Sequence, residues 1–310
     1  MIYFSTIFNK IVQTVISIFG SLVLVFLILY LLPGDPVLSM LDPTTATPEA
    51  IENLRVELGL NKPFYAQFLD YLKGVITGDL GTSRVTGEAV LDKVLDQLPA
   101  TLLLTFSSML FSIIFGITFG VISAIFRNKW IDVIVRFIAL FGISMPTFWS
   151  GILLILFLGV HLNWLPIMGS DGWKTLIMPS IALGLIGAGF IIRMVRNSIV
   201  DIIGDQFILT LRAKGLSEKK IMFKHVLKNA LIPAVTIIGM NVGELLAGTV
   251  VIETVFSRQG IGRLISDALA MKDLYVIQGV ILFSAIVYIV MNMLVDLSYS
   301  FLDPRIRKAN

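Results

Sequence analysis

The chain has no cysteine and only two histidines, His161 and His225, among its 310 residues. A disulfide framework, a thiolate metal site and a multi-histidine metal centre are therefore excluded, and no metal site or cofactor of its own is expected. Charge is also scarce. Only 15% of the residues are charged and 56% are hydrophobic, where a soluble domain carries about a quarter charged residues. The mean hydropathy is +0.89. No Gly-x-x-x-x-Gly-Lys-Ser/Thr phosphate loop occurs, so the chain does not hydrolyse ATP by that route. Neither does it contain the paired zinc histidines of a metalloprotease, and this argues against an intramembrane enzyme.

What remains is apolar sequence in long runs, each near the roughly 20 residues needed to cross a bilayer. Six spans are expected, at 11–32, 99–126, 134–160, 177–195, 230–252 and 276–301. The first run is too long for a signal peptide and is followed by Pro33-Gly34-Asp35-Pro36 rather than a small-residue cleavage site. The fold class is thus an all-α integral membrane protein. Lysine and arginine collect after the second span (Arg127, Lys129, Arg136), after the fourth (from Arg193 to Lys228) and in the tail (Arg305, Arg307, Lys308). The segment 33–98 has ten acidic and five basic residues. Basic loops stay in the cytoplasm, so both termini are expected inside and the acidic segment outside. The expected organisation is a first span (1–32), an external subdomain (33–98), a five-helix core (99–301) with a cytoplasmic loop at 197–230, and a short tail (302–310).

Two loops carry local signals. In the outer segment, Thr47 can cap a helix opening at Pro48 and stopped by Gly59, and a second short helix is expected from Pro63 to Gly74. In the inner loop, a polar break at Gly215 separates two short amphipathic patterns. The first covers 206–214. The second starts at Ser217, with Ile221, Met222, Val226 and Leu227 on one stripe and Lys219, Lys220, Lys224 and Lys228 elsewhere. Such a pair forms either a knob gripped by another protein or a basic stretch lying on anionic lipid.

The inner loop reads Thr210-Leu211-Arg212-Ala213-Lys214-Gly215-Leu216-Ser217, then His225-Val226-Leu227-Lys228-Asn229-Ala230-Leu231-Ile232-Pro233. It resembles the coupling motif of ATP-binding-cassette (ABC) importer permeases of the dipeptide, oligopeptide and nickel branch. Gly59-Leu60-Asn61-Lys62-Pro63, Gly78-Asp79-Leu80-Gly81, Val251-Ile252-Glu253-Thr254-Val255-Phe256 and Leu302-Asp303-Pro304-Arg305-Ile306-Arg307 extend the resemblance along the chain. It departs from the general importer motif at Leu209-Thr210-Leu211, where that motif opens with an acidic residue and two alanines. The resemblance implies a type I importer permease fold in the bacterial cytoplasmic membrane. It also implies a second homologous permease, two ATPase subunits that use ATP and magnesium, and an external binding protein; no nucleic acid is implied. Thr210, Arg212, Ala213, Lys214, Gly215, His225, Asn229 and Pro233 would then be the residues that couple to the ATPases.

Inside the membrane, Glu244 lies mid-way through the fifth span and is costly there, by about 2.5–3.5 kcal/mol on insertion scales. It is either a residue of the translocation path, with Met240 and Asn241 beside it, or a group bonded to a neighbouring helix. Ser144-Met145-Pro146 should kink or break the third span, and kinks line cavities where freed backbone groups find partners. Residues 141–149, 162–169 and 239–244 are similar to nickel permeases, so nickel or a metal chelate is the expected cargo, with a dipeptide or oligopeptide as the alternative. A passive channel would need no knob.

Overall fold

The computed structural model describes residues 2–31, 37, 47–57 and 59–302. The motifs at 33–36 and 303–307 lie outside these. The described residues are helical almost throughout. They form α1 (Ile2–Leu31), α2 (Pro48–Glu57), α3 (Phe64–Thr77), α4 (Val90–Ile125), α5 (Trp130–Ser144), α6 (Thr147–His161), α7 (Lys174–Ile203), α8 (Gln206–Ala213), α9 (Glu218–Val255), α10 (Ile261–Met271) and α11 (Leu274–Leu302). Five of these, α1, α4, α7, α9 and α11, are long and apolar enough to cross a membrane. The third expected span is present as α5 and α6, broken at Met145-Pro146 with a 113° bend, and it makes a sixth span when counted as one. Proline has no N–H to continue the ladder, and α5 ends with Met145 in extended backbone.

The helices overrun the apolar windows read from sequence. α4 starts nine residues before Pro99, and α7 continues eight residues past Val195. Hydropathy locates the part of a helix that sits in lipid, not the helix itself. Pro99, Pro179 and Pro233 all lie within helices.

The chain divides into two compact units, Met1–Ala100 with Gln259–Val290, and Thr101–Arg258 with Met291–Asn310. The described part of the segment between the first two spans therefore shares its unit with α1 and the 259–290 region. In that unit the Thr47 hydroxyl accepts a hydrogen bond from Ala50 N–H at 3.2 Å, as the cap reading requires. The helix expected to stop at Gly74 runs on to Thr77 and is closed by Gly78 at φ +76°. Val90, Val94, Ile261, Ala268, Val276 and Val280 form an apolar core. Buried Asp273, just before α11, accepts from the Ser83 hydroxyl at 2.5 Å and from Val276 N–H at 3.4 Å.

The second unit is built around α7, which packs against α5, α6 and α9. Its small residues let backbones touch. A β-carbon on Gly184 would lie 2.6 Å from the Ser108 carbonyl oxygen of α4, and one on Gly189 would lie 2.6 Å from the Ala139 oxygen of α5. Near the end of α7 towards α8, Arg196 makes a two-pronged ion pair with Asp132 of α5, both distances being 2.8 Å. Asp132 is fully buried and also accepts from the Ser123 hydroxyl of α4 at 2.6 Å and from Asn128 N–H at 3.2 Å.

Two outcomes follow. Gly189→Ala should destabilise the protein by about 1–3 kcal/mol through overpacking, while Gly20→Ala, with nothing within 4 Å of the added carbon, should be neutral or slightly favourable; thermal unfolding followed by size-exclusion chromatography compares them. Arg196→Ala leaves the buried Asp132 with only the half-exposed Arg136 as a cationic partner, 3.4 Å away, and should cost at most about 3–5 kcal/mol, whereas Asp132→Leu combined with Arg196→Met should recover most of that loss. The same assay reads it, and a double variant no better than Arg196→Ala would show that the charges themselves are required.

Candidate functional site: a knob after α7 and an exposed stripe on α9

The knob begins two residues after α7. α8 ends in a left-handed turn at Gly215, φ +76°. Gly215 N–H donates to the Arg212 carbonyl at 2.9 Å and Leu216 N–H to the Leu211 carbonyl at 3.2 Å. This pair of bonds is the Schellman arrangement, with Leu216 and Leu211 as its apolar contact, and both leucines pack on the buried core. A β-carbon on Gly215 would meet nothing within 4 Å. Its substitution is therefore opposed by backbone strain, about 1–2 kcal/mol for a residue with a side chain, and not by crowding.

Across this turn Arg212 Nε and Nη2 reach the two carboxylate oxygens of Glu218 at 2.7 and 3.1 Å. As a surface pair it adds little stability, and it bridges the two arms across the turn. Ser217 has the extended backbone of a cap, yet its side chain makes no capping bond.

The second arm differs from expectation. It is not a separate short helix but the opening of α9, which runs unbroken from Glu218 to Val255. Its turn Ile221–Val226 is π-helical. The wider turn places Ile221 and Val226, five residues apart, on one side, both buried. Ile208, Ile221, Val226 and Ala230 join Val121, Ala124, Ile191, Val195 and Ile199 in one core. Each fully buried aliphatic side chain contributes about 1.5–3 kcal/mol. This apolar stripe is thus used against α4 and α7, which leaves it unavailable to a lipid surface.

The predicted coupling residues divide into two sets. Thr210, Arg212, Ala213, Lys214 and Gly215 are exposed at the tip. His225, Asn229 and Pro233 form the root, where Asn229 Nδ2 donates to the His225 carbonyl at 2.9 Å. Three exposed apolar side chains, Phe207, Leu209 and Phe223, stand beside the tip. Sequence reading passed over them because a hydrophobic residue in an amphipathic pattern reads as core.

Further along α9, Asn229, Pro233, Thr236, Met240, Glu244, Ala247, Val251 and Thr254 form one exposed stripe, with Met240 71% accessible. Met240 and Glu244 are thus brought together. Asn241 is not on the stripe: it is buried facing α7, where a β-carbon on Gly187 would lie 3.4 Å from its Nδ2. At the broken span Ser144 is exposed and Met145 is buried.

A second carboxylate of α9 was carried in sequence only as part of a motif. Glu253 is fully buried and accepts from the Thr101 hydroxyl at 2.7 Å. Close by, Arg258 is 3% exposed and donates to the Thr175 hydroxyl at 3.3 Å. Burial pulls the Arg258 guanidinium below its usual pKa, and Glu253 opposes that shift. No local pattern announces this cluster, because Thr101, Thr175 and Arg258 lie far apart in the chain.

Comparison with known proteins adds four findings. Residues 116–308 match the family described as "Binding-protein-dependent transport system inner membrane component". Residues 1–105 match the corresponding N-terminal family. The glutathione transport system permease protein GsiC of Escherichia coli O6:H1 is 41% identical over 303 residues, 96% of this chain and 99% of that protein; its counterpart in Shigella dysenteriae is 40% identical over the same length. An inward-facing structure of the MetNI methionine ABC transporter shares the fold, with a TM-score of 0.56 and 21% identity over 67% of this chain and 95% of that one. The chain belongs to the binding-protein-dependent transport family: it is a multi-pass inner-membrane permease subunit of an ABC importer, not an enzyme, and works with ATPase and binding-protein partners.

Proposed function

We propose that this permease forms half of the translocation path for a small peptide of the glutathione class. It takes its power stroke through the knob at 206–226. The observation that carries the substrate reading is the 41% identity, over almost the whole of both chains, to a permease named for glutathione transport. The expectation of nickel rests on three short stretches and has no comparable support.

The path reading rests on the stripe of α9. A carboxylate three turns inside a span does not face hydrocarbon, so Glu244 faces water or another protein. A second, homologous permease set against this stripe would enclose a cavity with Glu244 and Met240 on its wall. Glutathione and dipeptides carry an ammonium group, and a carboxylate in a narrow cavity attracts it. Asn241 lies behind the stripe, buried against α7.

The coupling reading rests on the tip. Thr210, Arg212, Ala213, Lys214 and Gly215 project from a rigidly packed base, and Phe207, Leu209 and Phe223 supply the aromatic and aliphatic anchors that protein grooves accept. Two ATPase subunits, binding ATP and magnesium, would grip two such knobs. The positive-inside pattern supports the same arrangement: both termini and the knob in the cytoplasm, and segment 47–98 towards an external binding protein.

Uptake of labelled glutathione, a labelled dipeptide and nickel should be compared in cells with and without this chain. Loss of glutathione or dipeptide uptake with nickel uptake intact is expected; loss of nickel uptake alone would overturn the substrate reading. Gly215→Val should abolish uptake with normal membrane insertion, and Gly215→Asn, which tolerates the left-handed turn better, should retain part of it. Normal uptake by the valine variant would remove the knob from the mechanism. Glu244→Gln should lower uptake well beyond any fall in the amount of protein in the membrane.

A further inference from the structure

Helix α3 (Phe64–Thr77) has three distinct faces. At about 100° per residue, Phe64, Phe68, Tyr71 and Val75 fall on one side. Tyr65, Leu69, Leu72 and Ile76 fall on the adjacent side. Gln67, Asp70, Lys73 and Thr77 fill the remaining arc, Gln67 bordering Tyr71 and Lys73 bordering Leu69, each about 40° away.

The first face packs against α1, with Phe68, Tyr71 and Val75 half-buried and Phe64 still 43% exposed. The Phe26 ring of α1 lies 5.4 Å from Phe64, 5.1 Å from Phe68 and 5.6 Å from Tyr71, and Tyr30 lies 4.9 Å from Phe64, all between ring centroids. The polar face is occupied in the ordinary way: Lys62 pairs with Asp70 at 2.6 Å, and Gln67 bonds the Lys62 carbonyl at 2.8 Å. On the middle face Leu72 is half-buried and the other three side chains are exposed. Tyr65 is 67% exposed, Leu69 60% and Ile76 84%.

What covers that face follows from depth. Phe26 lies inside the apolar window Lys10–Leu27 of a membrane span, and α1 ends at Leu31. At 1.5 Å per residue, Phe26 is about 7 Å below the end of the helix. A helix packed on Phe26 and Tyr30 therefore lies at the level of the headgroup and acyl boundary, where amphipathic helices bury their apolar faces about 5–10 Å deep. The middle face is also continuous in character with the outward side of α1, where Ile16, Phe19 and Leu24 are 65%, 52% and 60% exposed. Ile76, the most exposed large apolar residue described, is poorly placed in water and well placed in acyl chains.

We propose that α3 is an interfacial helix, lying in the surface of the bilayer at the end of α1 with Tyr65, Leu69 and Ile76 immersed in lipid and Asp70, Lys73 and Thr77 facing water. It anchors the connection between the first two spans at a defined depth. The absence of cysteine makes a direct test available. Single cysteines at positions 69, 70, 73 and 76 of the full chain, carrying a nitroxide, are reconstituted in phosphatidylethanolamine–phosphatidylglycerol vesicles. Relaxation by oxygen, which concentrates in lipid, is then compared with relaxation by a water-soluble nickel chelate. The oxygen-to-chelate ratio should be severalfold higher at 69 and 76 than at 70 and 73. Equal ratios at all four positions would overturn the proposal, as would shielding of 69 and 76 from both reagents, which would mean that protein covers this face. Repeating the measurement with the partner subunits present tests it in the assembled transporter. There, shielding of 69 and 76 from both reagents overturns the lipid assignment, and the same high oxygen ratio upholds it.

Discussion

Lipid tails are as apolar as leucine, so nothing like the hydrophobic effect drives one span against another, and close backbone approach must supply the attraction. In this protein that constraint falls on α7. It is the helix with neighbours all round, and it meets them through Gly184, Gly187 and Gly189. The carbonyl oxygens of Ser108 and Ala139 would lie 2.6 Å from a β-carbon on Gly184 and on Gly189, respectively. Interhelical hydrogen bonds use the same proximity. The Ser112 hydroxyl donates to the Gly184 carbonyl at 2.6 Å, and Ser107 and Ser180 share a hydrogen bond at 2.7 Å. Neither contact would survive one extra methyl group in the wrong place. The two-pronged pair between Arg196 and Asp132 then fixes the rotation of α7 against α5, because a guanidinium fork meets a carboxylate squarely in one orientation only.

From this scaffold the knob inherits its stiffness. Its two arms share a core with α4, α7 and α9, and packed cores move between discrete arrangements rather than deforming smoothly. The knob is thus packed onto the ends of α7 and α9 as one body. Because α9 continues from the second arm without a break, the stripe bearing Met240 and Glu244 is part of the same helix that begins at Glu218. A separate short helix, as the sequence pattern suggested, would have needed a joint between the knob and the stripe. The π-helical turn removes that joint while still burying both Ile221 and Val226.

The spans, the break at Pro146 and the caps at Thr47 and Gly215 were legible in sequence because each is a local consequence of composition or backbone freedom. Three features were not. Helix ends outside the lipid window leave no hydropathy signal, which is why α4 and α7 proved longer than their apolar runs. Ionic partners separated by 64 residues, as Asp132 and Arg196 are, are chosen by packing, and the sequence around Asp132 reads only as an acidic residue in a basic loop. Finally, the tip residues Phe207, Leu209 and Phe223 are hydrophobic but turned outwards. Only coordinates separate such residues from Ile208, their buried neighbour.

The two carboxylates of α9 show most directly what the structure adds. Glu244 and Glu253 are nine residues apart, two and a half turns, and so project from opposite sides of the helix. Glu253 is fully buried, hydrogen-bonded by Thr101 and opposed to the Arg258 guanidinium. A carboxylate held in this way is a structural element; its charge is answered within the same chain. Glu244 points the other way, on a stripe that this chain leaves uncovered from Asn229 to Thr254. Both groups bear the same cost of entering a membrane, and for one of them the compensation is visible. For the other it must come from outside the chain, from a second permease, from water or from a cationic cargo, and a translocation path supplies all three.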